Sequence, residues 1–179
     1  LTIITAVRFG MVRFGSVIQK YFGDGSKFGV NIKYHYNPPE IETLKRLVDA
    51  KKFIKNNFFL MNSDNYSDLN LHQLKEKFNS LKSSFLLTIC KKKRGNILIN
   101  SKKEKLRKYH FKKNNKSNFV EIGYMIIKKK ILPKNVSNST VSFNHFINMQ
   151  TDKQKVNYFI NENNYISISD KKRYLRAKK

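Results

Sequence analysis

The sequence predicts an α/β layered fold with a mainly parallel sheet, in a single domain covering residues 1–179. Three observations carry this. Segments of strand-like and helix-like period alternate along the chain, strand, helix, strand, helix, strand, helix, and then mostly strands. Phe58–Met61 is an unbroken apolar run, the pattern of a strand covered on both faces, and it ends in the polar cluster Asn62-Ser63-Asp64-Asn65. Apolar residues make up 40% of the chain, enough to build a core and to exclude wholesale disorder.

Taken in order, residues 1–6 read as a short buried strand. Residues 12–22 read as a helix with Phe14, Val17, Ile18 and Tyr21 on one face. Three glycines, Gly23, Gly25 and Gly29, then fall within seven residues and read as a structural turn. Their spacing fits neither the P-loop pattern nor GxGxxG, so they are not read as a phosphate loop. The alternation Val30, Ile32, Tyr34 predicts a strand over 30–36. Pro38-Pro39 breaks the chain and opens a helix whose apolar stripe runs from Ile41 to Ile54.

After the 58–61 strand, Leu71, Leu74, Phe78 and Leu81 place a helix at about 70–82, with Asp68 as its expected N-cap. Strands are expected at 85–90, 96–100, 105–111 and 119–127, a helix at 143–149, and short strands near 157–160 and 165–168. Asp170 is the expected N-cap of a terminal helix. Segments 114–118 and 134–140 read as polar connectors within the domain. The tandem AVRFG–MVRFG (6–15) is too short a repeat to indicate a solenoid.

Composition narrows the function. One cysteine, Cys90, excludes an internal disulfide and cysteine-rich metal sites, and its apolar setting predicts a buried small hydrophobe. His35, His72, His110 and His145 show no zinc spacing. No run approaches the roughly 18 apolar residues of a membrane span, and the start lacks a basic n-region and a cleavage site, so a cytoplasmic protein is expected. The net charge of +25 has two readings. It can serve a polyanion such as nucleic acid. It can also be compositional, because Lys, Asn and Ile share AT-rich codons and the lysines spread along the whole chain. Nucleic-acid binding is then expected to be non-specific. Neither Arg-rich tracts nor an RNP-like aromatic motif is present.

The segment YFGDGSKFGVNIKY (21–34) resembles the signature of sugar-1-phosphate nucleotidyltransferases. Other segments match that family in order. FFLMNSDNYSDL (58–69) is similar to its strand and metal-binding turn, FVEIGYMIIKKKIL (119–132) to the floor of its sugar site, and YISISDKKRYLRAKK (165–179) to its closing strand and helix. The resemblance spans nearly the whole chain. It implies a Rossmann-like, GT-A-like domain that joins an NTP to a sugar 1-phosphate with Mg²⁺ and releases pyrophosphate. The VEIGY form suggests a branch handling hexose- or heptose-1-phosphates for surface polysaccharides.

By this resemblance Asp64 is the metal ligand; read from the bare sequence it is a turn or helix cap. Thr43 and Ser63 are the nucleotide-side candidates. Glu121 and Gly123 match the sugar-site floor, and Lys112, with Lys113 beside it, falls near a lysine that contacts the sugar phosphate. In so lysine-rich a chain, a solvated lysine is the plainer reading. No catalytic residue is assigned.

Departures from the family pattern matter as much. GGxGTRL, the family's triphosphate loop, is absent from residues 1–179, and the expected first strand with it, so a truncated protein with weak or no turnover is expected. A missing strand also predicts an exposed sheet edge and a tendency to associate into oligomers. The glycines of the family's base-binding turn are replaced by Leu44 and Lys45, whose side chains are expected to crowd a base. Ser167 stands where the family carries its second metal aspartate. Two other classes remain: a basic nucleic-acid-binding protein, and a non-catalytic interaction protein on the same fold.

Overall fold

The computed structural model describes residues 2–6, 11–38, 40–136, 141–163 and 165–178. Nine strands and five helices are described: β1 (Thr2–Ala6), α1 (Met11–Phe22), α2 (Thr43–Asp49), β2 (Asn57–Asn62), β3 (Asn65–Ser67), α3 (Leu71–Ser80), β4 (Phe85–Lys91), β5 (Gly95–Asn100), β6 (Lys105–Asn114), β7 (Phe119–Lys128), α4 (Phe143–Asp152), β8 (Val156–Ile160), β9 (Tyr165–Ser167) and α5 (Lys171–Ala177).

Seven strands form one sheet in the order β1-β2-β7-β4-β8-β6-β5, and β5 also meets β7, which gives the sheet a barrel-like closure. β1 pairs parallel with β2, and β4 parallel with β8. β7 lies between β2 and β4 and runs antiparallel to both. Hence β1, β2, β4 and β8 point the same way, with one reversed strand among them. The mainly parallel sheet expected from sequence is therefore corrected to a mixed one. A buried apolar run has the same appearance in either direction, so the Phe119–Ile127 pattern could not reveal the reversal.

The sheet is covered on both faces. Phe58 and Leu60 of β2 join Leu87 and Ile89 of β4 under Leu44 and Leu47 of α2 and Phe146 and Ile147 of α4. Phe59 turns the other way, with Leu86, Ile122 and Ile126, beneath Leu74 and Phe78 of α3. The period of two along a strand sends successive side chains to opposite layers, which is why 58–61 needs an apolar residue at every position. Truncating a side chain such as Leu74, fully buried here, carries a cavity cost of about 2–5 kcal/mol.

Helix starts follow capping chemistry. Asn70 Oδ1 accepts from Gln73 N (3.0 Å), so Asn70 and not Asp68 caps α3. Asp170 caps α5 as expected, accepting from Arg173 N at 2.8 Å. The stripe expected from Ile41 to Ile54 resolves into α2 and a 3-10 turn over Ala50–Phe53.

The strand expected over 30–36 does not form; no ladder runs through it. The segment instead folds back on the glycine turn. Ile32 N donates to Asp24 O (2.7 Å), and the Tyr34 hydroxyl donates to Gly23 O (2.7 Å). Gly23, Gly25 and Gly29 all have positive φ, at 55°, 90° and 67°. At Gly25 a Cβ would lie 2.6 Å from Val30 O, so glycine is required there for space as well as for conformation. The helical face of α1 is less covered than its periodicity suggests, since Val17 and Tyr21 are more than half exposed.

Candidate functional site

The carboxyl ends of β2 and β4 and the amino end of β7 meet at one edge of the fold, and most of the sequence-predicted residues gather there. β2 ends at Asn62, and the turn Ser63-Asp64 leads into β3. β3 pairs antiparallel with β9, placing Asn65 opposite Ser167. Ile168 N donates to Asp64 O at 2.6 Å and fixes the Asp64 backbone. Two segments a hundred residues apart in sequence, 64–67 and 165–168, are thereby clamped together.

Asn65 ties this clamp to β7. Its Nδ2 donates to Ile122 O (3.1 Å), the Tyr165 hydroxyl donates to its Oδ1 (3.3 Å), and the Tyr124 hydroxyl donates to its backbone O (2.9 Å). The side chain fits because Gly123 has none. Gly123 sits at φ +83°, where the β4–β7 register shifts between Leu87 and Ile89. A Cβ at Gly123 would lie 2.5 Å from Asn65 Nδ2 and 2.7 Å from Asn62 Cβ. Both conformation and close approach therefore demand glycine.

Glu121 lies two residues before this bulge and pairs with Ile89. Its Oε1 is buried and has no hydrogen-bond partner among the described residues. Burial raises its pKa from 4.5 to about 7; a hydrogen bond from the Gly123 backbone opposes the rise, and the charge of Asp64 adds to it. The charge of Glu121 is felt in turn at two tyrosines, Tyr109 and Tyr165, whose hydroxyls burial already pushes up. Thr88 Oγ1, in β4 at the register shift, is a second buried polar atom without a partner among the described residues. Buried polar atoms are nearly always satisfied, so the orphaned Glu121 Oε1 marks a place suited to a polar ligand, whereas Thr88, between Leu86 and Cys90 in the strand's alternation, belongs to the opposite layer.

The rim is basic. Lys92 Nζ stands 5.8 Å from the Tyr165 ring centroid. Cys90 is buried, and burial pushes its thiol up, while the charges of Lys92 and Lys113 oppose that rise. Lys113 is thus the member of the Lys112–Lys113 pair whose charge reaches the end of β4; both side chains are exposed. Thr43 opens α2, and no described interaction joins it to Asp64. Of the two side chains expected to crowd a base, Leu44 is buried in the core and Lys45 is ion-paired with Asp49. Ser63 is exposed in the turn.

As a metal site the arrangement offers one carboxylate. Among the described residues, no hydrogen bond or ion pair holds the Asp64 carboxylate, and no group of three or more metal-ligating side chains forms. At the second position, Ser167 Oγ accepts from Arg173 Nη1 (3.2 Å), and the same guanidinium pairs with Asp170 (3.2 Å). A cation therefore stands beside the serine. Mg²⁺ tolerates a single protein carboxylate when water and phosphate oxygens complete its octahedron, so Asp64 alone fits the ion, whereas an Asp64–Ser167 pair does not.

The mixed sheet with one reversed central strand, the polar turn after β2 and the closing strand clamped against that turn belong to a fold that this chain shares with solved sugar-phosphate nucleotidyltransferases. The chain is similar to three such solved structures. One is a Bacillus anthracis protein assigned as a glucose-1-phosphate thymidylyltransferase and solved with a sucrose (TM-score 0.81, 16% identity, 98% of this chain and 73% of that one). The others are HddC from Yersinia pseudotuberculosis (TM-score 0.70, 18% identity, 98% and 76%) and the inositol-1-phosphate CTP transferase from T. maritima (TM-score 0.71, 17% identity, 96% and 70%). No protein-family model matches the sequence, and no curated protein matches it. No helix among the described residues is long and apolar enough to cross a membrane.

Proposed function

We propose that this chain binds an NTP and a sugar 1-phosphate at the Asp64 edge of the sheet and supports transfer of a nucleotidyl group between them, with release of pyrophosphate. The observation that carries this reading is the convergence of Asp64, Glu121 and Gly123 through the β3–β9 clamp, on the fold shared with the nucleotidyltransferases. In that reaction a sugar-phosphate oxygen attacks the α-phosphorus in line with the departing pyrophosphate. The protein contributes positioning and charge neutralisation.

Asp64 would hold Mg²⁺, which supplies neutralisation of the phosphate charge. Glu121, with a pKa of about 7, is poised to exchange hydrogen bonds with a sugar hydroxyl: ionised it accepts, protonated it can also donate. Lys92 and Lys113 add positive charge where a sugar phosphate would lie. Lys112, on the same strand end, contributes only to the general field.

Turnover is expected to be slow, because one carboxylate rather than two would hold the metal. A second reading, a binding protein on the same fold without turnover, is favoured by the Arg173–Ser167 contact at the second metal position. The deciding assay follows pyrophosphate release from a panel of NTPs with hexose and heptose 1-phosphates, with and without Mg²⁺. Mg²⁺-dependent release that disappears in Asp64→Ala supports transfer. Substrate binding without release assigns the second reading, and neither binding nor release removes both.

A further inference from the structure

The opposite end of the sheet carries a concave surface that the proposed reaction does not use. It is a cleft of about 670 Å³ between the turn after α3, the β5–β6 hairpin, the end of β7 and the turn after α4. Six lysines line it: Lys82, Lys103, Lys105, Lys130, Lys153 and Lys155. No carboxylate and no aromatic residue is among its lining side chains. We propose that this cleft binds a compact polyphosphate, several phosphate groups joined in one short chain, whether free or as the tail of a nucleotide.

Charge is the first argument. Lysines in a chain of net charge +25 are expected everywhere, but six around one cavity repel one another unless something anionic joins them. The ends of α3 and α4 face this region, and their carbonyl dipoles offset only about half a unit of charge each. Glu104, at the hairpin, is already ion-paired with Lys77. Asp152 belongs to a smaller adjoining hollow, which it shares with Arg107. A surplus of positive charge remains.

Backbone geometry is the second argument. Three non-glycine residues among those described have positive φ: Lys82 (48°), Glu104 (50°) and Gln154 (53°). Lys82 and Gln154 follow the ends of α3 and α4, positions where glycine is the usual residue, and both line the cleft. Residues with long polar side chains occupy strained positions that glycine would relieve.

The floor is the third argument, because it is fixed. Ser83 Oγ donates to Asn157 Oδ1 (2.8 Å), and Asn157 Nδ2 donates to Glu104 O (2.8 Å). Ser83 and Asn157 are buried, so this chain of bonds pins the α3–β4 turn, β8 and the hairpin together beneath the lysines. A rigid polar floor under long-stemmed ammonium groups suits a short polyanion. The absence of any aromatic lining argues against single-stranded nucleic acid, whose bases need stacking platforms.

The test is titration calorimetry on the full chain with sodium tripolyphosphate, orthophosphate, ATP and a single-stranded oligonucleotide, each also in an Asp64→Ala background. That background separates the cleft from the nucleotidyl-transfer site, so the result stands whatever the fate of the proposed reaction. Saturable one-to-one binding of tripolyphosphate is expected, at least tenfold tighter than orthophosphate. Lys153→Gln with Lys155→Gln should weaken it tenfold or more, while Lys20→Gln with Lys27→Gln, the same charge loss on α1 and the glycine turn, should change it less than twofold. If the first pair loses its fold, Lys103→Gln with Lys130→Gln serves in its place. In Asp64→Ala, ATP matching tripolyphosphate identifies the triphosphate tail as sufficient, and tripolyphosphate alone identifies a free polyphosphate; both support the proposal. Equal loss in both lysine pairs, orthophosphate binding as tightly as tripolyphosphate, or the oligonucleotide binding more tightly per charge would each overturn it.

Discussion

Gly123 and Asn65 are matched in shape: a methyl group on Gly123 would lie 2.5 Å from Asn65 Nδ2, and the backbone there already sits at φ +83°. Strain and close contact add, so Gly123→Ala should destabilise the fold by about 3 kcal/mol. It should also weaken sugar-phosphate binding, because Asn65 adjoins Asp64. Urea denaturation paired with ligand titration checks both. Wild-type stability in the variant would contradict the packing described here.

Glu121 makes stability depend on pH in a stated direction. Its folded pKa of about 7 lies above the ordinary 4.5, so the folded state binds the proton more tightly than the unfolded state does. The stabilising contribution is complete below pH 4.5 and is lost as pH rises through 7. A change of this size corresponds to roughly 3 kcal/mol. Glu121→Gln removes the titration, so the stability gap between variant and wild type should open in the variant's favour between about pH 5 and about pH 8. Parallel profiles across that interval would show that Glu121 does not titrate as described. Comparing the two proteins cancels the effect of the chain's large net charge.

Gly25 and Gly29 separate two causes of glycine preference. Both have positive φ, but only at Gly25 would a Cβ strike backbone, 2.6 Å from Val30 O; at Gly29 nothing lies within 4 Å. Gly29→Ala should cost about 1 kcal/mol and Gly25→Ala several times more. Hydrogen exchange at Val30 and Ile32, whose amides bond to Gly25 O and Asp24 O, reads the local loss.

Ser167 can be converted to what the nucleotidyltransferase pattern carries at its position. Ser167→Asp with Arg173→Ala places a carboxylate opposite Asn65 and removes the neighbouring cation. Affinity for Mg²⁺, or for Mn²⁺ read by electron paramagnetic resonance, should rise about tenfold, the scale of one added charged ligand. An unchanged affinity would place the metal away from the β3–β9 clamp.

The sequence made some of this visible and concealed the rest for physical reasons. Phe58–Met61 announced a strand between two layers because burial on both faces forbids polar residues. Gly23, Gly25 and Gly29 announced a turn because few other residues adopt its angles. The direction of β7 was hidden, since an apolar run carries no polarity. Val30, Ile32 and Tyr34 alternate like a strand, yet a strand also needs a neighbour, and here the backbone bonds go to the glycine turn instead.

At the candidate site, the nearness of segments 64–67 and 165–168 was legible only through the order of motifs. Glu121 stood out as a carboxylate in an apolar run. The lysine cleft was illegible, as its six members are scattered between residues 82 and 155.

The most direct test of the site is Mg²⁺-dependent nucleotide binding by the wild-type chain and by Asp64→Asn, which preserves shape and removes charge. The proposed site predicts that Mg²⁺ strengthens NTP binding in the wild type and has no such effect in Asp64→Asn, with both proteins equally folded. An undiminished Mg²⁺ effect in Asp64→Asn would contradict it.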